Sequence, residues 1–309
     1  MNFSTKFTVR TDLADEVFEN LREKKGDSHD GITFRTDFSN GIRVDTVNVT
    51  SKKAEKEAGK PCGKYVTVTT GEIWKYDRQK FEEAADVISK SLMSMLPEAG
   101  LCLIVCLGNS KISADALGPL TAQNVIVSRH IKICDEKLYS SLGLGECACI
   151  VPGVMGDTGA EALELVKGTV EKLKPSCIIV IDALASRSIS RLTKTVQISD
   201  SGIAPGSGVG NARHEISKRT LGVPTIAIGV PTVVEALTLS LDLLSEALCD
   251  EKEVFNFVEK KLSGNMGRFF VCAKESDKII SAMAKLIGYS INLAVHKGIA
   301  VSEIDEFLS

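Results

Sequence analysis

The chain has 309 residues, 40 acidic and 37 basic, for a formal net charge of −3, with 44% hydrophobic and 25% charged residues. That is enough apolar material to bury a large core, which excludes disorder as the dominant state. The slightly acidic balance excludes charge-driven nucleic-acid binding, which needs excess positive charge to displace counterions.

In chain order, residues 12–25 carry an amphipathic helix with Leu13, Val17, Phe18 and Leu21 on one side. Asp12 reads as its cap, and Asp15 and Glu16 favour its dipole. Residues 31–34 and 42–50 follow as strands rich in β-branched side chains, 52–60 as a charged loop, and 65–70 as a further strand. Residues 77–96 have helical periodicity, ended by Pro97. Strands at 101–107, 125–127, 147–151, 177–181, 194–198 and 225–230 then accompany helices at 159–173 and 233–248. Continuous apolar strands in such a rhythm predict an α/β fold with a largely buried, mainly parallel sheet. Helices at 251–262, 276–296 and 302–308 end the chain. The continuous apolar runs are strand-length, far short of the roughly 20 residues a spanning helix needs, so no membrane span is expected. Met1-Asn2-Phe3-Ser4-Thr5-Lys6 lacks the apolar segment of a signal peptide, which predicts a cytoplasmic protein.

Glycine and proline cluster just after strand ends, at Gly108-Asn109, Leu117-Gly118-Pro119, Pro152-Gly153 and Pro205-Gly206-Ser207-Gly208. Carboxyl ends of strands are where open α/β sheets bind ligands. Two aspartates fall there. Asp115 follows the 101–107 strand and its Gly-Asn turn, and Asp182 ends the apolar run of Ile178 to Ile181. Each is by position either a structural cap or a site residue. As neighbours they would share a proton, giving the ionised base and protonated acid that water-activating hydrolysis needs. Asp157 lies in an Asp-Thr-Gly string but precedes a helical run, where capping explains it.

The stretch from Pro205 to Asn211 lacks Walker spacing and a dinucleotide fingerprint. Its glycines suit backbone N–H groups facing a substrate oxygen, with Gly206, Ser207 and Gly208 the candidates. A phosphate or nucleotide held by residues 206–210 is the non-enzymatic reading. Of His29, His130, His214 and His296, His130 stands beside Arg129 after an expected strand. Asp115, Asp182 and His130 as metal ligands make the alternative enzymatic reading. The nine cysteines contain no CxxC and read as reduced thiols, with Cys102, Cys106 and Cys177 buried and Cys147 and Cys149 on one face of a strand.

Taken together and in order, several longer strings resemble the germination protease family of spore-forming bacteria. They include Val9-Arg10-Thr11-Asp12-Leu13-Ala14, Leu107-Gly108-Asn109, Asp115-Ala116-Leu117-Gly118-Pro119, Arg129-His130 and Pro152-Gly153-Val154-Met155-Gly156. Ile181-Asp182-Ala183-Leu184-Ala185, Pro205 to Asn211 and Ile228 to Val234 continue the match, which spans roughly residues 8–240. The resemblance implies a three-layer α/β/α fold with a mixed, mainly parallel sheet like that of hydrogenase maturation peptidases, with an N-terminal β-rich extension, C-terminal helices and a homotetrameric assembly. It implies an atypical aspartic endopeptidase, without cofactor or metal, that degrades small acid-soluble spore proteins in the spore core. Asp115 and Asp182 fall on the family's proposed catalytic motifs. Asn109, Arg129 and His130 join the glycine loop as expected substrate contacts. The family is made as a zymogen and cuts after an acidic residue, before an apolar residue and alanine, with another acid nearby. Thr11-Asp12-Leu13-Ala14-Asp15-Glu16 repeats that pattern, so cleavage is expected between Asp12 and Leu13. The implied division is a propeptide at 1–12, a β-rich region at 13–97, a catalytic core at 98–250 and helices at 251–309. Ser113-Ala114 stands where the family usually has Thr-Pro before its first aspartate.

Overall fold

The computed structural model describes residues 11–25, 30–206, 213–236, 238–240 and 269–309. The first ten residues of the expected propeptide, Ser207, Gly208 and the helix at 251–262 lie outside them, as does most of the helix expected at 233–248.

Helix α1 (Ala14–Lys25) leads into an antiparallel meander of β1 (Ile32–Ser39), β2 (Ile42–Val49) and β3 (Gly63–Thr69), with α2 (Lys52–Ala58) between the last two. The loop expected at 52–60 is thus largely helical. Ser51 caps it through the Ala54 N–H, its charges face solvent, and Ala54 and Ala58 bury one turn apart. Then come α3 (Arg78–Met93), β4 (Cys102–Cys106), α4 (Leu117–Ala122), α5 (Arg129–Cys134), α6 (Glu136–Leu142), β5 (Cys147–Ile150), α7 (Met155–Thr158) and α8 (Ala162–Leu173). The remainder is β6 (Cys177–Ser186), β7 (Thr195–Ser199), α9 (Lys218–Leu221), β8 (Thr225–Glu235), β9 (Phe270–Val271), α10 (Ser276–Val295) and α11 (Val301–Leu308).

The nine strands among the described residues form one sheet in the order β1-β2-β3-β7-β8-β6-β4-β5, with β9 paired to β8. Strands β8, β6, β4 and β5 are parallel to one another, and every other pairing is antiparallel. The sheet is therefore mixed, as expected, with β8, β6, β4 and β5 as its parallel part and the antiparallel meander beside it. The reason is the short link from β6 to β7, which holds no crossover helix, so β7 must run back and can extend the meander. Residues 125–127 are not a strand. The Ile126 N–H donates to Asn292 Oδ1 (2.9 Å), and the Ile126 carbonyl lies 2.9 Å from His296 Nε2, so α10 and its C-cap take the backbone groups a sheet would use.

Strand alternation sorts the core into layers. Ile104, Cys106, Ile179, Ile181, Val196 and Ile198 face α3, α4 and α10 on one side. Leu103, Val105, Ile178 and Val180 face Val166 and Val170 of α8 on the other, where Phe18 of α1 also covers the meander. The result is the three-layer α/β/α arrangement. Helix α10 is the one described helix long and apolar enough to cross a membrane, and 67% of its apolar window is buried in this core. The eight cysteines among the described residues are free; Cys102, Cys106, Cys147 and Cys177 are buried, and Cys106 Sγ lies 3.9 Å from Cys149 Sγ.

Candidate active site

Strand β6 does not stop at Ile181. It runs to Ser186 beside β8, with an irregular register between Leu184 and Ala185. Asp182 therefore lies inside a central strand, on the face of Ile178 and Val180, and is only 5% exposed. Its Oδ1 accepts the Ala183 N–H at 2.9 Å. Burial raises its pKa well above the ordinary carboxylate range, and the charges of Asp115 and Asp12 push the same way against that one hydrogen bond.

Asp115 comes from the loop after β4. The Asn109 N–H donates to the Asp115 carbonyl (2.9 Å), and Asn109 Oδ1 accepts the Lys111 N–H (2.9 Å), so Asn109 shapes this loop. Glycine is required at two places. A Cβ at Gly108, whose φ is +115°, would meet the Asp115 carbonyl oxygen at 2.1 Å, and one at Gly118 would meet the Leu107 carbonyl oxygen at 2.0 Å. Ser113, in place of the family's threonine, hydrogen-bonds Asp277 of α10. Asp115 is half-buried, and burial raises its pKa while the Asn109 N–H opposes the rise.

The two aspartates open on one cleft of about 500 Å³. Its walls include Ile112, Val154, Met155, Leu163 and Val233, with Gly206, Arg213 and His214 at the glycine-loop side. Arg213 Nη1 lies 3.7 Å and His214 Nδ1 3.4 Å from Glu161 carboxylate oxygens. Ser207 and Gly208 lie outside the described residues. Asp157 is exposed and paired with Lys111 at 3.0 Å. Arg129 and His130 are not in the cleft. They begin α5, beside the amino end of β5, where Arg129 approaches Glu146 at 4.0 Å; Asp115 and Asp182 sit at the carboxyl end of the same parallel strands. Asp115, Asp182 and His130 are thus not brought together, and among the described residues no group of three His, Cys, Asp or Glu side chains is placed to hold a metal ion.

The cleft is already entered by chain. Asp12 lines it, and the Asp12 N–H donates to the Ala185 carbonyl (2.9 Å) while the Ala185 N–H donates to Asp12 Oδ2 (2.9 Å). Leu13 and Ala14 are fully buried. Glu16 accepts the N–H groups of Arg187 (2.8 Å) and Ser188 (2.9 Å). Asp15 is bonded to Arg191, yet burial lifts its pKa to about 6. Capping accounts for only part of this: the Thr11 hydroxyl donates to Glu16 ahead of α1, but the carboxylates of Asp12, Asp15 and Glu16 also bond Ala185, Arg187, Ser188 and Arg191 of β6 and the residues after it. Sequence reasoning overlooked two groups that meet this segment. Lys60 Nζ donates to the Thr11 and Asp12 carbonyls (3.2 and 2.8 Å), and the Gln197 amide bonds Asp12 and Ala14. A lysine at the end of a charged stretch carries no sequence signal, whereas a glutamine between Val196 and Ile198 in an apolar strand is one.

A sequence model of the germination protease family matches residues 10–254. A germination protease of Clostridium perfringens is 37% identical, the alignment covering 98% of this chain and 100% of that protein. One of Oceanobacillus iheyensis is 42% identical over 78% of this chain and 68% of its own length. A solved [NiFe] hydrogenase maturation protease, HycI from Thermococcus kodakarensis, aligns with 16% identity and a TM-score of 0.36, covering 66% of this chain and 98% of that one. From the family match and the two germination proteases, the chain belongs to the germination protease family and is a peptidase of it.

Proposed function

We propose that this peptidase is made as a zymogen that removes residues 1–12 itself, and that it then cleaves small acid-soluble spore proteins with the same aspartate pair. The observation that carries the reading is the docking of Thr11 to Glu16 along β6 and the residues after it, with Asp12 lining the cleft of Asp115 and Asp182. Every element of the expected cleavage pattern has a receptor. The acid before the bond meets the Ala185 N–H, the apolar residue and the alanine after it are fully buried, and the second acid meets the Arg187 and Ser188 N–H groups.

The electrostatics suggest how the pair divides its work. Asp182, the more buried and facing two other carboxylates, keeps the shared proton; Asp115, half-buried and opposite an N–H, is the ionised partner. Asp115 takes a proton from water as the oxygen adds to the Asp12 carbonyl carbon. Asp182 gives its proton to the Leu13 nitrogen as the C–N bond breaks, leaving a carboxylic acid and an amine. Acid–base help of this kind is worth ~10²–10⁴-fold. Intact mass of the purified full chain over time tests the reading. Wild type should lose residues 1–12, and Asp115→Asn and Asp182→Asn should stay whole. Processing of either variant at the wild-type rate would return that aspartate to a structural role.

A further inference from the structure

Lys60 and Gln197 converge on a single atom, the carbonyl oxygen of Asp12. Lys60 follows the left-handed Gly59 that ends α2, and its Nζ reaches that oxygen at 2.8 Å. Gln197 comes from the centre of β7, on the face opposite Val196 and Ile198, and its Nε2 reaches the same oxygen at 3.1 Å. The other end of its amide, Oε1, accepts the Ala14 N–H at 2.6 Å. The amide thus straddles the Asp12–Leu13 bond, holding the carbonyl before it and the N–H one residue beyond it. Only one orientation of the amide satisfies both contacts.

When water adds to a carbonyl carbon, negative charge gathers on its oxygen. Donors already aimed at that oxygen from a dry site stabilise the transition state more than the ground state. A charged ammonium and a buried amide, from two elements fixed by the sheet, suit that task. Burial lowers the pKa of Lys60, and the charges of Asp12, Glu16 and Asp15 beside it oppose the fall. Gln197 is 8% exposed; loss of residues 1–12 removes its Asp12 partner, and undocking of the new end at Leu13 would free it from the Ala14 N–H as well. An incoming substrate with a carbonyl and an N–H at the same spacing would replace them.

We propose that Lys60 and Gln197 are catalytic residues that polarise the scissile carbonyl and stabilise its oxyanion, a role the sequence assigned to the glycine loop. The inference rests on the reading that Asp12–Leu13 is the bond cut. Its test follows removal of residues 1–12 by intact mass in full-length wild type, Lys60→Met, Lys60→Arg and Gln197→Met. Hydrogen exchange at the Leu13 and Ala14 amides reports in parallel whether the segment is still docked. Lys60→Met and Gln197→Met should each slow cleavage ~10²–10³-fold with the amides still protected, and Lys60→Arg, which keeps a cation, should recover about tenfold of the loss. Rates within about threefold of wild type in both neutral variants would overturn the role, because losing an oxyanion donor costs far more. So would slowing matched by an equal loss of protection, which would mean anchoring only. A wild-type chain that is cut elsewhere, or not at all, overturns the cleavage reading itself. Normal cutting after Asp12 by the variants overturns this inference alone.

Discussion

The two ends of the parallel strands treat charge in opposite ways. At the amino end, Glu146 is neutralised by Lys132 at 2.6 Å, with Arg129 at 4.0 Å, and a cavity of about 430 Å³ lies beside this satisfied pair. At the carboxyl end, Asp182 is buried near Asp115 and Asp12, and its pKa climbs. A carboxylate bridged to a lysine at the rim of the sheet serves structure. One desolvated among like charges is poised to exchange a proton. The cavities are of similar size, so volume does not tell the ends apart; electrostatics does.

The sharpest way to break this contrast is to substitute one group at each end. Asp115→Asn or Asp182→Asn should lower peptide-bond cleavage ~10²–10⁴-fold, while His130→Ala at the amino end leaves the rate unchanged. Equal losses at both ends, followed by intact mass, would erase the distinction. Next in size is the loop that carries Asp115. Gly118→Ala drives a Cβ into the Leu107 carbonyl and should cost about 1–3 kcal/mol or more of stability, read as a lowered thermal midpoint and a slowed reaction.

The pH–rate profile sharpens the comparison further. The proposed mechanism needs Asp182 protonated and Asp115 ionised. Both pKa values are raised, so the rate should fall as pH rises through the value of Asp182 and fall again as pH drops through that of Asp115. The optimum should lie above the ordinary carboxylate range. A profile centred within that range would mean the pair is better hydrated than its burial indicates. The smallest effect belongs to the neutralised end. Glu146→Gln removes a partly exposed bridge and should cost only ~0.2–1 kcal/mol, measured by denaturant unfolding, with cleavage unaffected.

Much of this molecule is readable from local pattern. The helical periodicity of 77–96 and 276–296 and the apolar runs at 101–107 and 147–151 became α3, α10, β4 and β5 with small shifts at their ends. Those signals depend on which side chains must leave water. Asp115 and Asp182 were legible because they punctuate apolar strands beside glycines that sterics demand. The exceptions have physical causes. Residues 125–127 look like a strand but have their backbone bonded by Asn292 and His296, and the 52–60 stretch hid a short helix whose only apolar signal was two alanines.

The sequence alone determined the strands and helices of the layered α/β core, the places of Asp115 and Asp182 after apolar runs, and the Asp12-Leu13-Ala14 string, because each is written in neighbouring residues. Tertiary structure decided what meets at the cleft. It carried Arg129 and His130 to the far end of the strands and left Asp157 on the surface with Lys111. It set Thr11 to Glu16 against β6 and brought Lys60 and Gln197 to one carbonyl oxygen. The reason is the reversal of β7, which joins the antiparallel meander to the parallel strands in one sheet and brings together residues far apart in the chain. Periodicity reports burial along the chain; strand order and direction, set by which connections can close, decide which distant groups become neighbours.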